Sequence, residues 1–232
     1  MNSAIIVAAG KGTRMGPGVD KLFLEVAGRP VLAHTWQRFN DASCIDDLVI
    51  VVRDGMQTVF QELAAQFKFT KPFQLVSGGV ERQDSVWNGL AALPATTEIV
   101  AIQDAARPCT SERLIADTIA AAREMGAAVA GQPVTDTIKE TADGKTISRN
   151  VDRTRLWSMQ TPQTFRVDVI RRAFAEMRRR GLAVTDDTAA CELIGQPVRL
   201  VAGATANPKV TLPGDLIVIE ALLRSASLVG SA

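Results

Sequence analysis

The residues best suited to chemistry stand where short apolar runs end. The first run closes in Ala8-Ala9-Gly10-Lys11-Gly12-Thr13-Arg14-Met15-Gly16, with Lys21 shortly after. A glycine-rich turn at the carboxyl end of the first strand of an α/β sheet offers backbone N–H groups to an anion, and such sheets take their ligands at that edge. The spacing G-x-G-x-x-x-G is not the dinucleotide fingerprint, and Lys11 followed by Gly12 is not a Walker loop. A purely structural turn therefore competes with a phosphate cradle. Arg14 and Lys21 favour the cradle, because two cations beside an anion nest suit a triphosphate whose charge must be neutralised during transfer. The competing account of both is a solvated surface side chain.

Two further junctions share this character. Ser77-Gly78-Gly79 follows the third apolar run and leads through Arg82 to Ser85, so its backbone could face the same edge; a plain loop with an N-cap at Asp84 or Ser85 is the alternative. The fourth run ends Ile102-Gln103-Asp104-Ala105-Ala106-Arg107-Pro108. A carboxylate there, beside a phosphate loop, is placed to hold a divalent cation, which commonly takes one or two carboxylates plus phosphate oxygens and water. A structural Asp104, capping its turn or paired with Arg107, is the other reading. Lys209 and Arg153 are additional candidate cations. The cluster Arg171, Arg172, Arg178, Arg179 and Arg180, interleaved with Phe174 and Met177, reads as a solvated helix face rather than a nucleic-acid surface.

These residues need a frame to bring them together. Short β-prone runs at 4–8, 48–52, 73–76, 99–102 and 127–130 alternate with helical spacing at 31–39, 56–67, 85–93 and 112–125. Helical patterns return at 168–180, 186–194 and 214–223, with a strand at 198–201. This alternation predicts a doubly wound, mostly parallel α/β sheet of the Rossmann-like kind, with ligands at its carboxyl edge. From Pro133 to Phe165 the rhythm breaks into two polar, β-prone strands around Asp143-Gly144. A lone two-stranded ribbon is marginal in water, so this arm, at about 134–156, is expected to lean on the rest of its domain or on a second copy of the chain.

Composition sets the outer bounds. The 232 residues carry 26 Lys and Arg against 25 Asp and Glu, a net charge of +1, with 47% hydrophobic positions. One domain with appendages is expected, and a disordered chain is excluded. The neutral balance argues against nucleic acid or an anionic membrane as the main partner, and no apolar run approaches the ~18 residues of a membrane span. Three cysteines without CxxC spacing fit a reducing compartment, so the cytoplasm is expected. His34, the single histidine, excludes multi-histidine metal sites and reads as a packed residue.

Taken in order, the motifs resemble the 2-C-methyl-D-erythritol 4-phosphate cytidylyltransferase family. The matching pieces are Ala8-Ala9-Gly10-x-Gly12-x-Arg14-Met15 with Lys21, Gly78-Gly79-x-x-Arg82-x-x-Ser85-Val86, and Asp104-Ala105-Ala106-Arg107-Pro108. Pro133-Val134-x-Asp136-Thr137-x-Lys139, Val151-x-Arg153-x-x-Leu156-Trp157 and Gln160-Thr161-Pro162-Gln163-x-Phe165 follow, then Thr185-Asp186 and Lys209-Val210-Thr211. The resemblance implies attack of a polyol phosphate on the α-phosphorus of CTP with release of pyrophosphate. It implies that Arg14, Lys21 and Lys209 are catalytic, and that Mg²⁺ is held by Asp104. Ala8, Ala9, Gly10, Gly12, Gly79, Arg82, Ser85 and Ala105 would bind the nucleotide. Asp104, Arg107, Thr137, Arg153, Thr185 and Lys209 would bind methylerythritol phosphate, with Thr137 and Arg153 coming from the exchanged arm of a homodimer. Val80, where relatives often have a polar residue, and Asp20, where proline is common, depart from the pattern. A ribitol 5-phosphate cytidylyltransferase and a non-catalytic nucleotide-binding module are the alternatives.

Overall fold

The computed structural model describes residues 1–10, 12, 15, 16 and 18–229, the side chains of 226–229 excepted. In chain order the elements are β1 (Asn2–Val7), β2 (Glu25–Val26), β3 (Arg29–Pro30), α1 (Val31–Asp41), β4 (Asp47–Val52), α2 (Gln57–Phe67), β5 (Phe73–Ser77) and α3 (Arg82–Ala91). They continue with β6 (Ile99–Asp104), α4 (Glu112–Met125), β7 (Ala127–Pro133), β8 (Ile138–Thr141), β9 (Ile147–Val151) and β10 (Trp157–Arg166). The last are α5 (Val167–Arg179), α6 (Asp187–Glu192), β11 (Arg199–Ala202) and α7 (Asp215–Val229).

Seven strands form one sheet in the order β11-β7-β10-β6-β1-β4-β5. Every residue of β4 is buried, as expected of a strand covered on both faces, which is why it reads as an unbroken apolar run. Side chains alternate between two cores. Ala4 and Ile6 face the layer of Trp36, Phe60 and Ile115, while Ile5 faces that of Val86, Leu90 and Phe174. Trp36 stacks on Phe69 at 4.8 Å and meets Phe73 edge-on at 5.0 Å, fixing α1 against the sheet. β1 pairs in parallel with β4 on one side and β6 on the other. The chain thus leaves β1 in one direction and returns on its far side, opening a crevice at the carboxyl ends of these strands.

The segment 133–165 holds more than the expected arm. The arm itself is present as the antiparallel pair β8 and β9, and its Asp143 carboxylate accepts N–H bonds from Lys145 (2.8 Å) and Thr146 (2.7 Å). Periodicity does not announce β10, a ten-residue strand lying antiparallel between β7 and β6. Its centre is polar yet buried, because Thr161, Gln163 and Thr164 each find a partner. Thr164 bonds Thr118 at 3.0 Å, Gln163 reaches Asp186 at 3.0 Å, and Thr161 Oγ1 accepts the Asp104 N–H at 3.1 Å. The short β2–β3 pair is also absent from the sequence pattern, and His34 bonds the Val26 carbonyl within it at 2.7 Å. The arginine-rich stretch forms α5, where Arg179 and Arg180 pair with Glu176 on the exposed face.

Candidate active site

The crevice is a cleft of about 270 Å³ at the carboxyl ends of β1 and β6. Four segments far apart in sequence line it: the turn after β1 (Ala9, Gly10, Gly12) with Lys21, the entry to α3 (Gly79, Arg82, Ser85), the end of β6 (Asp104, Ala105) and Lys209. The helix α3 starts at Arg82, three residues earlier than apolar spacing suggests, because the Asp84 carboxylate accepts the Glu81 N–H at 3.1 Å and caps the first turn. Arg82 therefore projects from a helix start rather than a loop.

Glycine is required where these segments press together. A Cβ on Gly78 would stand 2.3 Å from the Ala9 Cβ, and one on Gly79 would stand 2.2 Å from the Asp84 Cβ. The Gly79 N–H donates to Ser85 Oγ at 3.0 Å, and that hydroxyl donates to the Glu81 carbonyl at 3.2 Å. Lys21 runs its stem past Gly12, which sits at φ +63°. Its Nζ donates to the Val210 carbonyl at 2.6 Å, tying the first loop to the one before α7. Asp20, the departure from proline, accepts the Leu22 N–H at 3.2 Å and forms an ion pair with Arg53, so the loop is braced by contacts instead of a ring. Val80, the other departure, stands almost fully exposed on the cleft lip.

Asp104 is the electrostatic centre. Arg82 Nε lies 3.3 Å from Oδ1, Lys209 Nζ 2.6 Å from Oδ2, and Arg107 Nε 3.8 Å from Oδ2. Burial alone would raise its pKa, but Arg82 first, then Lys209 and Arg107, hold it down at about 2. Both readings of Asp104 meet here, since it pairs with Arg107 and also faces the cleft. Arg107 is not in the cleft lining and donates Nη1 to the Asn207 carbonyl at 2.7 Å.

The structure thus gathers Ala9, Gly10, Gly12, Lys21, Gly79, Arg82, Ser85, Asp104, Ala105 and Lys209 around one cleft. Ala8 is not in its lining; it is buried, with its N–H given to the Val51 carbonyl at 2.8 Å. The Ala105 N–H is likewise spent on the Val7 carbonyl, leaving its carbonyl bonded by Thr35. Thr137 and Arg153 lie exposed at the base of the arm, outside the cleft lining, with the Arg153 guanidinium on the Thr135 carbonyl. Thr185 is exposed just before α6, whose N-cap is Asp186. Arg14 lies outside the described residues. Sequence reasoning missed Asp187, which binds Arg82 through both carboxylate oxygens at 2.9 Å. The only signal was its place beside Thr185-Asp186.

Among the described residues there is no group of three His, Cys, Asp or Glu that could chelate a metal. Asp104 would supply one carboxylate to a hard cation such as magnesium, which needs only one or two of these when phosphates and water complete its shell, once Lys209 leaves Oδ2.

The family model for 2-C-methyl-D-erythritol 4-phosphate cytidylyltransferase (IspD) matches residues 2–225. The cytidylyltransferase of that name from Alkaliphilus oremlandii is 39% identical over 96% of this chain and 95% of its own length. That from Desulforamulus reducens is 41% identical, covering 95% of each chain. Among solved structures, 4-diphosphocytidyl-2C-methyl-D-erythritol synthase from Anaerococcus prevotii superposes with a TM-score of 0.85 at 30% identity, covering 96% of each chain. The Thermus thermophilus cytidylyltransferase superposes at 0.77 with 34% identity, covering 95% of this chain and 98% of that one. By sequence and by fold, the chain belongs to the 2-C-methyl-D-erythritol 4-phosphate cytidylyltransferase family.

Proposed function

We propose that the cleft joins CTP to 2-C-methyl-D-erythritol 4-phosphate, giving 4-diphosphocytidyl-2-C-methyl-D-erythritol and pyrophosphate in non-mevalonate isoprenoid biosynthesis. The observation that carries this reading is the convergence of Lys21, Arg82, Asp104 and Lys209 with two glycine turns on one strand-end crevice. A phosphate oxygen of the polyol attacks the α-phosphorus, a new P–O bond forms, and the bond to the bridging oxygen of pyrophosphate breaks. The attacking group is already anionic, so no side-chain nucleophile or base is required; alignment and charge stabilisation suffice. Lys21, with Arg14, stabilises charge on the α-phosphate and the departing pyrophosphate. The turn at Ala9, Gly10 and Gly12, with Gly79 and Ser85, seats the nucleotide. Lys209, now on Asp104, is poised to engage the polyol phosphate.

Mg²⁺ is the cofactor of this reading, with Asp104 as its protein ligand; when bound it supplies positive charge to the triphosphate oxygens. The three free cysteines fit a cytoplasmic setting. No described helix is long and apolar enough to cross a membrane. With CTP labelled at the α-phosphorus, the label is expected in the cytidylylated alcohol, and with γ-label in pyrophosphate. Label from the α-position in CMP or CDP, with the alcohol carrying no cytidylyl group, would refute attack at that atom.

The whole chain serves as one nucleotidyltransferase domain, and its arm completes the site of a second copy in a homodimer. Supporting this, Thr137 and Arg153 are exposed and outside their own cleft, and Ile147 of the arm is 63% exposed. Mixed Lys21→Ala and Arg153→Ala subunits are expected to regain part of the parent activity, since one kind of mixed site has both residues intact. No recovery after demonstrated subunit exchange would show that the arm serves its own chain.

A further inference from the structure

The guanidinium of Arg82 is held from two sides. Its fork is bidentate to Asp187, with Nη1 to Oδ1 and Nη2 to Oδ2 both at 2.9 Å, and only Nε turns to Asp104, at 3.3 Å. Asp187 opens α6 and is 1% exposed. It does not line the cleft. Its place is set by the sheet: the Asp187 N–H donates to Gln163 Oε1 at 2.9 Å, and Gln163 Nε2 donates to the neighbouring Asp186 at 3.0 Å. A carboxylate that faces no ligand space thus grips a residue that does.

The chain Asp187–Arg82–Asp104–Lys209 alternates in charge. Lys209 is its loose end, a flexible stem on a loop, bonded through one Nζ to one oxygen. An arriving phosphate competes with Asp104 for Lys209. It would compete for Arg82 too if the guanidinium fork were free, because such a fork binds phosphate bidentately. We infer that Asp187 is a positioning residue: it keeps the Arg82 fork occupied, so that Arg82 stays as a fixed brace on Asp104 while Lys209 moves to the incoming phosphate. This rests on the proposed reaction and narrows the role expected of Arg82 from nucleotide ligand to brace. Burial pushes the Asp187 carboxyl up, and the Arg82 contacts oppose that shift, so the carboxylate form of Asp187 is supported by the guanidinium it grips.

The test combines kinetics with a readout that needs no turnover. At a temperature well below each variant's melting midpoint, Asp187→Ala is expected to lower kcat/KM for methylerythritol phosphate by about 10- to 100-fold, the scale of a misplaced catalytic group. KM for CTP should stay within about twofold, and Asp187→Asn, which keeps one acceptor, should fall between alanine and the parent. In an Arg82→Ala background, Asp187→Ala should add no further loss. Additive losses, or parent-like kinetics in both single Asp187 variants, would overturn the inference. If the alanine variant does not fold, the asparagine variant carries the same comparisons.

Without substrates, ¹⁵N-arginine-labelled protein is expected to show a slowly exchanging Arg82 Nε–H signal, assigned by its loss in Arg82→Lys. That signal should exchange rapidly in Asp187→Ala or Asp187→Asn. Equal protection in parent and variants would refute the brace. Should the parent turn over no polyol phosphate while this protection is still lost on mutation, the proposed reaction would fall and the anchoring of Arg82 by Asp187 would stand.

Discussion

Replacing Lys21 with alanine is expected to lower turnover by about 10²- to 10³-fold, the usual cost of deleting one preorganised donor from developing charge. The fold should persist. The Lys21 Nζ donates to the Val210 carbonyl at 2.6 Å, while the Val210 N–H keeps its own bond to the Ala106 carbonyl at 2.8 Å. Losing a single hydrogen bond costs about 1 kcal/mol, and water can enter the vacated side of the cleft to offset part of it. Stopped turnover with a near-parent melting midpoint is therefore the expected pair of results. A near-parent rate would remove Lys21 from the chemistry.

Asp104→Ala is expected to damage both activity and stability. The substitution leaves Arg82, Lys209 and Arg107 facing one another without their shared carboxylate. Breaking a buried pair by deleting one partner costs about 3 to 5 kcal/mol. The lower end applies here, because the Arg82 and Lys209 side chains keep 30% and 34% of their surface in water. The pH dependence follows from the depressed pKa of about 2 against an ordinary 3.8. The contribution of Asp104 is fully present above the unfolded-state value and is lost as pH falls from about 4 to about 2. Urea titrations across that range should show a steeper acid loss in the parent than in Asp104→Asn. Parallel curves would mean that Asp104 is not held by these cations.

The sequence and the structure agree where side-chain pattern carries the information. Buried parallel strands such as β4 read as apolar runs, and the glycine turns at Gly10 and Gly78-Gly79 mark strand-to-helix junctions that the sheet brings to one edge. The arm was legible from Asp143-Gly144 between polar β-prone residues. β10 was not, because burial there is achieved by hydrogen-bonding Thr161, Gln163 and Thr164 rather than by apolar residues. Nor could spacing reveal that Asp187 meets Arg82 across 105 positions; that contact exists only once α3, α6 and β10 are packed. Long-range ion pairs between single residues leave no periodic trace. The same limit hid the diversion of the Arg82 fork from the cleft.

The net charge of +1 conceals this arrangement, since cations and carboxylates alternate from Asp187 beneath the cleft to Lys209 in its lining instead of forming a basic surface. The central claim is that this alternation serves cytidylyl transfer to methylerythritol phosphate. It is tested most directly by measuring pyrophosphate release from CTP and Mg²⁺ with 2-C-methyl-D-erythritol 4-phosphate and with ribitol 5-phosphate in parallel. Release dependent on methylerythritol phosphate, with ribitol phosphate at background, is the predicted result; release with ribitol phosphate alone, or with neither, would contradict it.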